Sequence, residues 1–134
     1  MKATLCHGID LVEIDRLRSI VEENPAFEEG VFTEEERTYC RRHADPWPHF
    51  AARFAAKEAV LKALGRGLST EGPDAALLDI EVVRAEGAPR LRIYGTIART
   101  ARMLRLAEPA RVREREGGLA MASVVWPFLP EEAS

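Results

Sequence analysis

Apolar residues recur along the chain in eight segments, four at the spacing of an amphipathic helix and four in the short β-rich runs typical of strands. The helical spacing predicts helices over residues 13–23, 33–43, 50–65 and 96–108. The β-rich runs predict strands over residues 4–12, 79–84, 90–95 and 119–128. Helices and strands mix without a strict strand–helix–strand alternation. The pattern therefore indicates an α+β fold, with a mainly antiparallel sheet packed against a long central helix.

Local signals mark where several of these elements begin and end. Thr33 and Glu36 have the spacing of a capping box, which predicts that a helix starts at Thr33. A proline-rich run at residues 45–48 interrupts the helical pattern, and Gly65 ends the central helix. The EGAP run between the second and third predicted strands predicts a hairpin. The chain contains no repeat and no linker, so residues 1–134 are expected to form a single domain.

The central helix carries charges where an amphipathic helix would have apolar residues. On a helical wheel, Lys57 falls within the stripe of large apolar side chains, and Glu58 lies at the edge of that stripe. The stripe consists of Phe50, Phe54, Leu61 and Leu64, and a second face consists of Ala51, Ala55, Ala59 and Ala63. Because a face of alanines permits close approach by another element, the helix is expected to be buried on more than one side.

Two interpretations of these charges stay open from the residues alone. In the first, Lys57 extends its charge to solvent along an apolar stem, and Glu58 forms an ordinary surface pair with Lys62 one turn away. In the second, Glu58 works with Asp10, a carboxylate between two apolar residues of a predicted core strand, where aspartate is disfavoured. Two partly buried carboxylates near basic side chains such as Arg53 suit Mg²⁺ together with a phosphate.

Composition and charge exclude several classes of function. The chain is 46% apolar and 31% charged, with a net charge of −3, so neither disorder nor nucleic-acid binding through a general basic field is expected. No apolar run is long enough to span a bilayer and no signal peptide precedes the first strand, so a cytoplasmic protein without a membrane partner is expected. Cys6 and Cys40 are far apart and lack a metal-type spacing, so both are expected to be free thiols.

Two segments of the chain resemble the signature segments of the holo-[acyl-carrier-protein] synthases, the small phosphopantetheinyl transferases. They are GIDLVEIDRL at residues 8–17 and RFAAKEAVLKALGRG at residues 53–67. The resemblance extends, in order and at nearly the same spacing, to VFTEEERTYC, to DIEVVRAEGAPRLRIYG and to LAMASVV near the end of the chain. It therefore covers nearly the whole sequence.

The resemblance implies a reaction and the residues that perform it. The family transfers 4′-phosphopantetheine from coenzyme A to a serine of apo acyl carrier protein, and its members are homotrimers with active sites at the clefts between subunits. Carried over by position, Asp10 and Glu58 are expected to be the Mg²⁺ ligands and the catalytic residues. Lys62 is expected to contact the coenzyme A phosphates. Arg53 and Lys57 are further candidates for binding coenzyme A around the same site.

The chain departs from the family pattern at two places. Members often dock the acidic carrier protein on a basic first helix; here Arg16 and Arg18 are the docking candidates, but Glu22 and Glu23 follow them. Residues 110–118 lack the His and Ser that many members have there, and their arginines either bind phosphate or lie in a solvated loop. Two alternatives to the transferase therefore stay open. One is a non-catalytic or repurposed trimeric member, and the other is a metal-dependent enzyme acting on another nucleotide pyrophosphate.

Overall fold

The computed structural model describes residues 5–65, 77–84, 89–103, 110–116 and 118–129. Its helices and strands, in chain order, are β1 (Leu5–Glu13), α1 (Ile14–Glu23), α2 (Pro25–Val31), α3 (Glu34–Arg41), α4 (Trp47–Ala63), β2 (Ile80–Val83), β3 (Arg90–Ile93), α5 (Gly95–Met103), β4 (Ala110–Glu116) and β5 (Leu119–Pro127). Within the described part of the chain, no helix is long and apolar enough to cross a membrane.

The strands of the described residues form one three-stranded antiparallel sheet and one hairpin. The sheet has the order β1–β5–β4, and the hairpin pairs β2 with β3. In the register of β1 and β5, Gly8 lies opposite Val124 and Asp10 lies opposite Ala122. The long helix α4 packs against both of these strands. The predicted α+β fold, with an antiparallel sheet against a long central helix, is confirmed.

Helix α4 is buried on more than one side, as its alanine face predicts. Ala51, Ala55 and Ala59 are completely buried. The backbone of β1 approaches this face so closely that a Cβ atom at Gly8 would lie 1.9 Å from the carbonyl oxygen of Ala59. Only glycine fits at that point, because any other residue would place a side chain inside the helix backbone. Gly65 follows the helix with a φ of 73°, a left-handed conformation that suits glycine at a helix end.

The capping box at the start of α3 forms as predicted. The Thr33 hydroxyl accepts a hydrogen bond from the backbone N–H of Glu36, and the Glu36 carboxylate accepts one from the backbone N–H of Thr33. The helix ends at Arg41, two residues before the predicted end at residue 43.

A side chain also links the open end of the β2–β3 hairpin to the next helix. The Asp79 carboxylate, just before β2, accepts a hydrogen bond of 3.1 Å from the N–H of Thr96, in the first turn of α5.

Two segments form elements that the sequence did not predict, and α4 begins at Trp47, three residues before its predicted start. The run 25–31 forms helix α2, whose start at Pro25 is favourable because the first helical position needs no N–H donor. Residues 110–116 form strand β4, paired along its whole length with β5, so of the two alternatives left open for this segment the solvated loop does not hold for these residues. A strand is usually recognised in a sequence by apolar residues at every second position. This strand has charged residues at most positions, so the sequence does not show that pattern.

Candidate metal and phosphate site

The two carboxylates that the sequence singles out are brought together from different elements. Asp10 lies in the middle of β1, and Glu58 lies in the middle of α4. The close approach at Gly8, two residues before Asp10, brings the strand against the helix at the turn that carries Ala59. Asp10 keeps 14% of its side chain exposed, whereas Glu58 is only 4% exposed. This close contact between β1 and α4 helps to bring the two carboxylates together.

The charges of the site act strongly on Glu58. Burial and, second to it, the neighbouring Asp10 charge raise the pKa of Glu58 to about 7, while the Lys62 charge opposes the shift. The Oε1 atom of Glu58 is buried and has no hydrogen-bond partner among the described residues. Lys62, whose side chain is half exposed, donates a hydrogen bond of 2.7 Å from Nζ to Asp10. The simple surface pair of Glu58 with Lys62 is thus not the arrangement found.

These features fit a hard divalent cation. A buried carboxylate oxygen without a donor is costly unless a cation or a proton satisfies it. Within the described residues no group of three or more His, Cys, Asp and Glu side chains is placed to hold a metal ion. Two carboxylates without a third ligand suit Mg²⁺, which commonly takes one or two carboxylates and completes its shell with water and phosphate oxygens.

A cleft of about 420 Å³ opens beside the carboxylates. Its lining includes Asp10 and Glu58, together with Arg16, Leu17 and Ile20 from α1. The remaining residues of the wall are Leu11, Val12, Glu13, Phe54 and Leu119. The lining combines three carboxylates, several apolar side chains and one cation, so the cleft offers both polar and apolar contacts to a substrate.

The structure does not place Lys57 at this cleft. Lys57 is completely buried, and its ammonium pairs with Glu36 at 2.6 Å. It also donates hydrogen bonds to the carbonyl oxygens of Val31, Leu77 and Ile80. Burial lowers the pKa of Lys57, and the Glu36 charge opposes that shift. Because four oxygens already surround the ammonium, the prediction that Lys57 binds coenzyme A needs correction: it has no donor left for a phosphate.

Arg53 lies in a second cleft, of about 520 Å³, which shares no lining residue with the first. Arg53 is only 1% exposed, and its guanidinium lies 4.2 Å from the centre of the Tyr39 ring. Its Nε is buried without a hydrogen-bond partner among the described residues. Arg42 and Arg84 also line this cleft. Within one chain, Arg53 therefore does not join Asp10 and Glu58 but adds to a separate group of cations.

The two docking candidates on α1 have different surroundings. Arg16 lines the cleft beside the carboxylates. Arg18 instead forms an exposed ion pair with Glu22 at 2.8 Å, one helical turn away. Its guanidinium also lies 5.8 Å from the centre of the Trp47 ring. Arg16 is thus the cation of this helix that faces the candidate site, while the guanidinium of Arg18 is paired with Glu22.

Sequence reasoning missed two buried carboxylates on the other side of α4. Glu36 is 1% exposed and Glu81 is 7% exposed. The capping box explained Glu36 as a local cap, and nothing in the sequence pairs it with Lys57. Glu81 accepts a hydrogen bond from the Thr33 hydroxyl. The sequence did contain one signal for such a carboxylate. Lys57 lies in the apolar stripe of the central helix, and a buried lysine requires a charged partner.

Comparison with known proteins identifies the family. The family model of the 4′-phosphopantetheinyl transferase superfamily matches residues 7–116. The chain therefore belongs to this superfamily, as its fold and motifs indicate.

Its relatives narrow the placement within the superfamily. A holo-[acyl-carrier-protein] synthase of Anaeromyxobacter dehalogenans is 40% identical over 88% of this chain and 91% of its own length. One of Syntrophotalea carbinolica is 51% identical over 69% of this chain and 71% of its own length. Among solved structures, a holo-(acyl-carrier-protein) synthase from Bacillus anthracis in complex with CoA (3′,5′-ADP) is 28% identical, with a TM-score of 0.74, covering 95% of this chain and all of that one.

Proposed function

We propose that this protein transfers 4′-phosphopantetheine from coenzyme A to a serine of apo acyl carrier protein, as a Mg²⁺-dependent holo-[acyl-carrier-protein] synthase. The observation that carries the proposal is the buried, unpartnered oxygen of Glu58, which lines the same cleft as Asp10. The names of the relatives support the reaction and the substrates. A location in the cytoplasm follows from the same proposal.

Asp10 and Glu58 are the residues that would hold the metal. When bound, Mg²⁺ would neutralise charge on the diphosphate of coenzyme A, which is the main requirement of phosphoryl transfer. Glu58 must lose its proton to serve as a ligand, and a pKa of about 7 permits this near neutral pH. Its carboxylate is also the group that can orient a water to accept the proton of the attacking serine.

Lys62 is our candidate for binding a phosphate of coenzyme A. Its ammonium donates to Asp10, and half of its side chain is exposed. A cation on Asp10 would repel the ammonium, which would then turn toward an incoming phosphate. Arg16, which lines the cleft, is the candidate for steering the acidic carrier protein. Arg18 would contribute less, because Glu22 already pairs with it.

A homotrimer would explain the exposed apolar face of the sheet. Leu5, Ile9 and Leu11 lie on the face of β1 that points away from α4, and they are 45%, 50% and 58% exposed. Met121 and Val125 continue this face on β5 and are half-buried. Such a face in one chain favours burial against other copies. Between subunits, Arg53 in the second cleft could reach the coenzyme A bound to a neighbour, which would reconcile its position with its predicted role.

Mass spectrometry tests the proposal directly. The protein is incubated with coenzyme A, Mg²⁺ and apo acyl carrier protein, and the carrier is expected to gain the mass of phosphopantetheine. A Glu58→Gln variant in the same assay controls for a contaminating transferase. If the carrier gains no mass while the protein still binds coenzyme A, the non-catalytic alternative holds. Hydrolysis of another nucleotide pyrophosphate under the same conditions would favour the other alternative, a metal-dependent enzyme that acts on such a compound.

A further inference from the structure

The side chain of Lys57 ties α4 to three other segments of the chain. Its Nζ donates to the carbonyl oxygens of Val31 at 2.8 Å, Leu77 at 3.0 Å and Ile80 at 2.7 Å. Val31 is the last residue of α2 and Ile80 the first of β2. The fourth partner is the Glu36 carboxylate of α3, at 2.6 Å. One ammonium group therefore fixes the position of α4 relative to the layer formed by α2, α3 and β2.

Glu36, the charged partner, is itself held in place. Its Oε2 accepts a hydrogen bond of 2.9 Å from the N–H of Val82, and its Oε1 accepts one of 2.9 Å from the N–H of Thr33. The carboxylate thus belongs to the backbone framework of α3 and β2. Because the Glu36 carboxylate is held in this way, its ion pair with Lys57 also holds α4 in position.

The small side chains of α4 hold its rotation less firmly than a bound charge does. Ala55 and Ala59 are completely buried, and the helix packs against β1 and β5. Methyl groups set the distance between elements, but they interlock weakly against rotation. The ammonium of Lys57 lies roughly 8 Å from the helix axis, from a Cα radius of about 2.3 Å plus the side chain. A rotation of about 10° would displace it by roughly 1.4 Å, which would break its hydrogen bonds.

We propose that Lys57 is a positioning residue that sets the rotation of α4, so that the carboxylate of Glu58 meets Asp10 in the geometry a metal ion requires. The inference rests on the proposed metal site. Glu58 follows Lys57 directly in the helix, so any rotation that frees the lysine moves the carboxylate by a similar angle. Functional constellations tolerate errors of only about 0.5 Å or 10–20°, and Mg²⁺ demands near-octahedral geometry.

The test compares metal affinity with folding stability in Lys57→Met, which keeps an unbranched side chain as far as the Cε position and removes the ammonium. Mn²⁺ binding is measured by electron paramagnetic resonance in the presence of coenzyme A and without a carrier protein. We expect the Mn²⁺ Kd to rise about tenfold or more, the range for residues that support metal ligands. Excess Mn²⁺ should restore part of the transfer rate. The melting temperature should also fall by about 10 °C or more, because Glu36 is left buried without its partner.

A matched control separates positioning from mere stability. Ile97→Ala removes a fully buried side chain of α5 that does not line the cleft. It should lower the melting temperature by a similar amount and leave the Mn²⁺ Kd unchanged. A folded Lys57→Met protein with the parent's Mn²⁺ Kd would overturn the inference. If that variant does not fold, Lys57→Gln, one atom shorter and still a donor, is measured in the same way, and an unchanged Kd there has the same meaning.

The failure of this inference and the failure of the proposed function are distinguishable. A parent protein that neither binds Mn²⁺ nor modifies a carrier contradicts the proposed function itself. A parent that does both, alongside a Lys57→Met variant that binds Mn²⁺ equally well, contradicts only the positioning role.

Discussion

Replacing Glu58 with glutamine separates a metal ligand from a structural residue, because the two roles predict opposite effects. The substitution keeps the size of the side chain and removes its charge. Burial and the charge of Asp10 raise the pKa of Glu58 from an ordinary value of 4.5 to about 7. Without a metal ion, the ionised carboxylate therefore destabilises the folded protein, and the neutral amide does not.

The magnitude follows from the shift. A pKa raised from 4.5 to about 7 corresponds to an upper bound of about 3 kcal/mol, which solvent in the open cleft reduces to about 1–2 kcal/mol. Between these two pH values the folded protein keeps a proton that the unfolded chain has lost. The free energy of unfolding therefore falls as pH rises from 4.5 to about 7 and stays at the lower value above it. Glu58→Gln should remove this fall.

Urea unfolding in EDTA at a series of pH values, with the protein concentration held constant, measures the effect. The variant should match the parent near pH 4.5 and exceed its free energy of unfolding by about 1–2 kcal/mol at pH 8. In Mg²⁺, the transfer rate of the variant should fall by about two orders of magnitude or more, the scale for losing one preorganised electrostatic group. Glu22→Gln, at an exposed pair on α1, is the control and should change unfolding by less than about 1 kcal/mol.

One pattern of results would refute this reasoning. A Glu58→Gln variant that unfolds like the parent at every pH and transfers phosphopantetheine at the parent's rate would remove Glu58 from the site. A variant that is less stable than the parent at pH 8 would show instead that the carboxylate is a stabilising partner in the folded protein.

Four further predictions concern the metal, the assembly and the packing. Chelation with EDTA should abolish transfer and added Mg²⁺ or Mn²⁺ should restore it; activity that survives chelation would exclude the proposed mechanism. Sedimentation at micromolar concentration should give the mass of a trimer, and a monomer would contradict the role assigned to the exposed sheet face. Gly8→Ala should prevent folding or lower the melting temperature by more than 10 °C, because a Cβ there lies 1.9 Å from a backbone oxygen; circular dichroism melts test this. Burial raises the pKa of the Cys40 thiol to about 12, so a thiol reagent at pH 8 should leave Cys40 unmodified in the folded protein, and rapid labelling there would contradict its burial.

The amino-acid sequence by itself determined most of the local structure. The spacing of Leu17 and Val21 in α1 and the capping box at Thr33 both appear where the pattern places them. The odd position of Asp10 in a core strand and of Glu58 in the central helix also pointed to the same site. These signals are local, because each depends on residues within a few positions of one another or on a family motif. Helix α2 was missed, since its seven residues carry too few apolar positions to show a period.

The roles of Lys57 and Arg53 could be decided only by the tertiary structure. A helical wheel shows which direction a side chain points, but not which element lies across from it. The partners of Lys57 come from 20 to 26 residues away in the chain. Strand β4 likewise exists because its backbone pairs with β5, and hydrogen bonds of that kind leave no period in a run of charged residues. Burial and pairing are properties of the assembled fold. Lys57 and Arg53 were both predicted to contact coenzyme A, but in the structure Lys57 forms buried internal bonds and Arg53 lines a separate cleft.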